Sequence, residues 1–158
     1  MKLLIVEDDP SLRSLLAELV QGEIPEAETF VRDNLNDAVD VINYKTIAGI
    51  LTDGTFPTYP QGLVSAQWNR PKPNWIGLAG WAEKKHIPIV VLTGAGDVAD
   101  HACRVGVPVF MKPLQVHKAI ARLRALVVPK AVRENPVVGE VNHENERIGP
   151  VPDATGEP

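Results

Sequence analysis

Cysteine is nearly absent from this chain, with Cys103 the single one among 158 residues. One cysteine cannot form an internal disulfide, and it cannot supply a zinc site built from several cysteines. The single cysteine therefore excludes two classes of protein: secreted domains cross-linked by disulfides, and cysteine-based zinc modules. A chain without disulfides suits a reducing compartment, so we expect a cytoplasmic protein.

Long hydrophobic runs are missing as well. The longest one near the start, from Leu3 to Val6 after Lys2, is far too short for the core of a signal peptide. No other stretch approaches the length that a membrane span requires. We therefore expect neither secretion nor insertion into a membrane.

An excess of positive charge is also lacking, because 16 lysine and arginine residues face 20 acidic residues and the formal net charge is −4. Proteins that bind the phosphate backbone of nucleic acids usually carry more basic than acidic residues. Direct DNA binding is therefore not expected.

The remaining composition is typical of a globular protein, with 44% hydrophobic and 23% charged residues. The length suits one domain with a modest extension, and we place that domain at residues 1–128. Residues 129–158 contain five prolines, no aromatic residue and more acidic than basic residues. This composition predicts a disordered, acidic, proline-containing tail.

Within the predicted domain, short apolar runs alternate with segments of helical period. The strand candidates are Leu3–Val6, Glu28–Val31, Ile47–Leu51, Ile87–Leu92 and Val107–Met111. The first helix is predicted after Asp9 as N-cap and Pro10 as first helical residue, and the second after Asn34. A third is predicted over about 75–85, and the last has an apolar face that includes Leu114 and His117.

This order predicts an α/β fold with a doubly wound, five-stranded parallel sheet covered by helices on both faces. In such folds, ligands bind just beyond the carboxyl ends of the strands. Polar residues stand at four of those ends: Glu7 and Asp8, Asp53, Thr93, and Lys112. Carboxylates brought together repel one another, and an oxygen-only cluster suits Mg²⁺. The set therefore predicts a magnesium site with phosphoryl chemistry on an aspartate.

The motifs that carry these residues resemble a known family. They are Leu3-Leu4-Ile5-Val6-Glu7-Asp8-Asp9-Pro10, Ile50-Leu51-Thr52-Asp53 with Pro57 following, Val90-Val91-Leu92-Thr93-Gly94, and Met111-Lys112-Pro113. In order and spacing they resemble the receiver domain of two-component response regulators, the CheY-like superfamily. The resemblance covers about residues 1–128 and implies a flavodoxin-like sheet with strand order 2-1-3-4-5.

The resemblance also implies roles for the polar residues. Asp53 would be the phosphoacceptor. The metal ligands would be Asp53, Asp8, Glu7 acting through water, and the backbone carbonyl of Thr55. Mg²⁺ would be the cofactor, as in the family.

Two further residues would bind the phosphoryl group according to the same resemblance. The Thr93 hydroxyl would hydrogen-bond one of its oxygens, and Lys112 would bind another. The Lys112-Pro113 peptide bond would be cis. The phosphodonor would be a histidine kinase or a histidine phosphotransfer protein, and the signal would pass to a downstream protein target.

The sequence departs from the family pattern in three places. Asp53 and Thr93 are 40 residues apart, which predicts an enlarged loop over about 57–75 that contains Trp68. Thr93 and Lys112 are only 19 residues apart, which predicts a short fourth helix. Val109 stands where the family often has a switching aromatic residue.

Three functions remain open at this stage. The first is a single-domain receiver that is a phosphoacceptor signalling protein and not an enzyme acting on a separate substrate. The second is a degenerate pseudo-receiver that serves as a binding module, which Val109 and the short fourth helix favour. The third is a phosphatase of the haloacid dehalogenase type, because Asp53-Gly54-Thr55 echoes its motif, although its nucleophile would fall on Leu51.

Overall fold

A computed structural model describes residues 1–128, so the predicted tail at 129–158 lies outside the described residues. The described chain alternates five strands with five helices. The strands are β1 (Lys2–Val6), β2 (Glu28–Arg32), β3 (Gly49–Asp53), β4 (Ile89–Thr93) and β5 (Val109–Met111). The helices are α1 (Pro10–Glu23), α2 (Leu35–Tyr44), α3 (Trp75–Lys84), α4 (Gly96–Arg104) and α5 (Val116–Val127).

The five strands form one parallel sheet in the order β2-β1-β3-β4-β5. This arrangement confirms the predicted doubly wound α/β fold and its strand order. None of the helices within residues 1–128 is long and apolar enough to cross a membrane.

Successive side chains of the central strands point to opposite faces of the sheet, so the core has two layers. Leu3 and Ile5 of β1 pack with α1 and α5 on one face of the sheet. Leu4 and Val6 pack with α2, α3 and α4 on the other face. All four side chains are fully buried, which explains why β1 has no polar face.

Strands β3, β4 and β5 each begin two residues later than the apolar runs predict. The run Ile47–Leu51 becomes β3 at Gly49–Asp53, and Ile87–Leu92 becomes β4 at Ile89–Thr93. Ile47 is buried in the core although it precedes the sheet, because an apolar run reports burial and not hydrogen bonding between strands. As a consequence, Asp53 and Thr93 are the last residues of their strands.

The helix starts follow local signals where capping is clear. Asp9 caps α1, since its side chain accepts a hydrogen bond of 2.8 Å from the amide of Leu12, and Pro10 is the first helical residue.

The predicted apolar face of the last helix was wrong at two positions. Leu114 lies in the turn before α5 and is 91% exposed, and His117 is also exposed. Helical period cannot be extended through a turn, so the buried face begins at Val116.

Candidate functional site

The parallel register brings the polar strand ends to one edge of the sheet. Val6 is opposite Thr52, and Asp53 is opposite Leu92, so the residues that follow β1 and end β3 and β4 are neighbours. Thr93 is opposite Met111, which places Lys112 at the same edge. Residues far apart in sequence therefore share one site.

Three carboxylates meet at this edge. Glu7, Asp8 and Asp53 each offer one oxygen atom, and these oxygens lie within 4.8 Å of one another. Glu7 is 1% exposed and Asp53 is 8% exposed, so two of the three negative charges are largely removed from water. Such a cluster requires positive charge nearby.

Lys112 supplies one positive charge. Its Nζ lies 2.7 Å from Oε2 of Glu7 and 3.1 Å from Oδ1 of Asp53. The lysine is held in place by its own backbone, since its amide donates a hydrogen bond of 2.8 Å to the carbonyl of Thr93. The peptide bond from Lys112 to Pro113 is cis, as the resemblance to receiver domains implies.

Burial and charge act together on the protonation of these groups. Burial raises the pKa of Glu7 above its ordinary value, although the hydrogen bond from Lys112 acts in the opposite direction. Burial likewise raises the pKa of Asp53, against the charge of Lys112. Burial lowers the pKa of Lys112, but its bonds to Glu7 and Asp53 outweigh that effect and leave the pKa raised. The lysine is therefore charged at neutral pH.

The two oxygens of Asp53 differ in their surroundings. Oδ1 forms the ion pair with Lys112 and accepts a hydrogen bond of 2.6 Å from the amide of Gly54. Within residues 1–128, Oδ2 accepts no hydrogen bond. One oxygen is thus held in place while the other is available to react.

Thr93 lies beside Asp53 at the end of β4 and is 1% exposed. Its Oγ1 accepts a hydrogen bond of 3.1 Å from the amide of Ala95. That bond uses the oxygen as an acceptor and leaves the hydroxyl proton available to a phosphoryl oxygen.

Thr55 is half-buried two residues beyond Asp53. In the described part of the chain, its carbonyl oxygen accepts no hydrogen bond. The three carboxylates form an all-oxygen donor set, which fits Mg²⁺ better than it fits a softer metal.

Two residues near the site were missed in the sequence reasoning. Arg13 of α1 donates hydrogen bonds to the carbonyls of Glu7, at 3.0 Å, and Asp8, at 3.4 Å, and it forms an ion pair with Asp33 at 3.8 Å. Gly54 packs so closely that a Cβ atom there would lie 2.7 Å from Oγ1 of Thr93. The only available signals were an arginine one turn into the first helix and a glycine directly after the aspartate.

The enlarged loop occupies residues 54–74, between β3 and α3. The tryptophan within the loop and the one that follows it have opposite environments. Trp75 begins α3 and is 1% exposed within the core, whereas Trp68 is 73% exposed on the loop. The fourth helix, α4, is short, with nine residues.

The position of the usual switching aromatic residue is filled by Val109, which packs against the layer formed by α2, α3 and α4. Phe110, next to it, points to the opposite face, against α1 and α5. The neighbouring aromatic side chain therefore cannot take the place of one at position 109.

Solved structures with the same fold were found by comparison. A CheY-like response regulator receiver domain protein from Methanospirillum hungatei JF-1 superposes with a TM-score of 0.58 at 14% identity, covering 78% of this chain and 90% of that chain. The receiver domain of NtrX from Brucella abortus gives 0.58 at 22% identity, covering 79% and 97%. The receiver domain of HemR from Leptospira biflexa gives 0.58 at 17%, covering 81% and 94%.

No model of a protein family matches the sequence, and no curated protein matches it either. The similarity is therefore one of architecture: sheet order, alternating helices and overall superposition agree, at low sequence identity. On this evidence the chain has the CheY-like fold of response regulator receiver domains.

Proposed function

We propose that this protein is a response regulator receiver that accepts a phosphoryl group on Asp53. The observation that carries the proposal is the position of Lys112, which bridges Glu7 and Asp53 beside a third carboxylate, Asp8. A purely structural role would not gather three acidic groups at one strand edge with a single lysine to offset part of their charge.

Each residue has a defined part in the proposed transfer. Oδ2 of Asp53 attacks phosphorus, and the bond between phosphorus and the donor nitrogen of a phosphohistidine breaks. Lys112 neutralises negative charge on the transferred group, and the Thr93 hydroxyl donates to one of its oxygens. Mg²⁺, held by Glu7, Asp8, Asp53 and the Thr55 carbonyl, would supply charge neutralisation at the phosphoryl oxygens.

The proposed partners follow from this chemistry. A histidine kinase or a histidine phosphotransfer protein would donate the phosphoryl group, and a downstream protein would read the phosphorylated state. We propose a signalling protein of the cytoplasm and not an enzyme that turns over a separate substrate. Direct DNA binding is not part of the proposal, because the net charge of the chain is −4.

The test is intact-mass spectrometry after incubation with acetyl phosphate, once with Mg²⁺ and once with EDTA. We expect the mass of one phosphoryl group to be gained only with Mg²⁺, and Asp53→Asn to abolish the gain. Asp100→Asn removes an exposed carboxylate from α4 and is the matched control, which should label like the wild type. Labelling of the Asp53 variant would remove this residue from the proposed role.

A second prediction concerns the metal alone. Asp8→Asn should weaken Mg²⁺ binding at least about tenfold, because a carboxylate ligand is replaced by a neutral amide in an all-oxygen site. Isothermal titration calorimetry with MgCl₂ measures this directly. Unchanged affinity would show that Asp8 is not a ligand.

A pseudo-receiver that binds a partner without switching is the second candidate, and Val109 is the observation that favours it. A folded wild type that gains no phosphoryl group from acetyl phosphate or from kinase preparations would favour this candidate. A phosphatase of the haloacid dehalogenase type is not proposed, because the position of its nucleophile is held by Leu51, a fully buried apolar side chain of β3.

A further inference from the structure

The loop at residues 54–74 is an ordered structure and is attached at several points. Its base is closed by an antiparallel bridge between Phe56 and Lys72. Across its middle, Asn69 accepts a hydrogen bond from the amide of Tyr59 at 3.0 Å and donates one to the carbonyl of Tyr59 at 2.7 Å. Near its end, Asn74 donates to the carbonyl of Phe56 at 2.6 Å. These contacts hold the loop in one shape, with Phe56 buried in the core at its base and residues 61–63 exposed.

The same loop is attached to the rest of the domain on the side of the site. The amide of Leu35, the first residue of α2, donates a hydrogen bond of 3.0 Å to the carbonyl of Pro57. The next amide, of Asn36, donates to the carbonyl of Thr58 at 3.1 Å. These two bonds hold the start of the loop against the first turn of α2.

A pocket of about 480 Å³ lies between the loop and the acidic site. Asp8 lines it from the side of the site, and Gln61, Asn69 and Arg70 line it from the side of the loop. A volume of this size admits a small molecule. The loop thus forms most of the wall of a pocket that borders the acidic site at Asp8.

The charge of this wall is opposite to that of the site. Residues 54–74 contain Arg70 and Lys72 and no acidic residue. Arg70 is exposed, and within residues 1–128 its guanidinium makes no hydrogen bond or ion pair. A guanidinium without such a partner, in a pocket that borders the acidic site, is placed to bind a carboxylate or a phosphate.

We propose that Arg70 binds the leaving group of a small acyl phosphate donor during phosphorylation of Asp53, and that the loop thereby accelerates transfer from small donors with an anionic leaving group over small donors with a neutral one, beside the transfer from a phosphohistidine. The inference rests on the proposed function. In the step, an oxygen of Asp53 forms a bond to phosphorus and the bond from phosphorus to the acyl oxygen breaks. The electron pair stays on that oxygen, and the products are aspartyl phosphate and a carboxylate.

The geometry of in-line transfer explains why the loop is the relevant wall. The attacking and leaving oxygens lie on opposite sides of phosphorus, so the leaving group points away from Asp53 and out of the sheet edge. The pocket lined by Asp8 and Arg70 lies at that edge. Negative charge that develops on the leaving carboxylate meets the guanidinium there, and stabilisation of that charge accelerates the step.

The experiment compares two donors on the full chain with Mg²⁺. Acetyl phosphate releases an acetate anion, whereas phosphoramidate releases neutral ammonia. We expect Arg70→Gln to slow labelling by acetyl phosphate about two- to fivefold, as for one partly exposed charge interaction, and to leave labelling by phosphoramidate unchanged. Arg70→Lys keeps the charge and should retain most of the rate. Initial rates are read by intact-mass spectrometry.

Arg104→Gln is the matched control, because it removes an exposed arginine from the end of α4 and makes the same change in net charge. It should label at the wild-type rate with both donors. Equal slowing of the two donors by Arg70→Gln, or no slowing of either, overturns the role of Arg70 while the wild type still labels on Asp53. Failure of the wild type to label with either donor overturns this inference, and failure to label from a histidine kinase preparation as well overturns the proposed function.

Discussion

Replacing Lys112 with methionine is expected to lower the free energy of unfolding by about 3 kcal/mol at neutral pH in metal-free buffer. Methionine keeps most of the side-chain volume but removes the charge that lies 2.7 Å from Glu7 and 3.1 Å from Asp53. Both carboxylates would then remain buried without a counter-ion. Urea denaturation with EDTA present measures the loss.

The pH dependence provides a second readout for this variant. In the wild type, the pKa values of Glu7 and Asp53 are raised in the folded state, so that state binds protons first as the pH falls, and these two groups favour folding increasingly below neutral pH. Without Lys112 both pKa values rise further, because its lowering effect is lost. The stability difference between the variant and the wild type should therefore narrow as the pH approaches about 5.

Lys118→Met is the matched control for this substitution. Lys118 lies exposed on α5, so the same change of side chain there should alter stability by less than about 0.5 kcal/mol.

The Lys112 variant should also be labelled by acetyl phosphate far more slowly than the wild type, since the lysine that would bind the transferred phosphoryl group is missing. A variant as stable as the Lys118 control at every pH would contradict the assigned ion pairs.

Adding one methyl group to Gly54 is expected to disturb the site almost as strongly. The Cβ of an alanine there would lie 2.5 Å from Cγ1 of Val98 and 2.7 Å from Oγ1 of Thr93, and both distances are too short for real contacts. Thr93 and the start of α4 must shift, at a cost of about 2 kcal/mol. Labelling of Asp53 should slow as well, because the Thr93 hydroxyl moves away from the phosphoryl position.

Gly80→Ala is the control for the loss of glycine. Gly80 lies within α3, and a Cβ there meets no atom within 4 Å. Alanine should therefore stabilise the helix by about 0.5 to 1 kcal/mol and leave labelling unchanged. If both alanine variants raise the midpoint of thermal unfolding, the close contact between Gly54 and Thr93 has been misjudged.

The loop shows what the spacing of the motifs along the chain could and could not predict. An interval of 40 residues between Asp53 and Thr93 predicted an enlargement, and the structure has a loop at residues 54–74. Spacing could not predict the shape of that loop, because the shape depends on hydrogen bonds such as those between the Asn69 side chain and the backbone of Tyr59. It also could not predict that Trp75 is buried while Trp68 is exposed.

The sequence by itself determined the class of the fold and the identity of the polar strand ends. Apolar runs and helical periods record which side of each element is buried, and strands that alternate with helices have few compact arrangements. Capping residues such as Asp9 and Pro10 determined the start of α1 in the same local way. Each of these features depends on residues that are close together in the chain.

Only the tertiary structure decided how the polar residues meet. The contact between Lys112 and Glu7 spans 105 residues, and it exists because β5 and β1 are brought to the same edge by the register of the strands between them. The close approach of Gly54 to Thr93 and the pocket between Arg70 and Asp8 have the same origin. Local pattern carries no information on such distances, because they are set by the packing of the whole sheet.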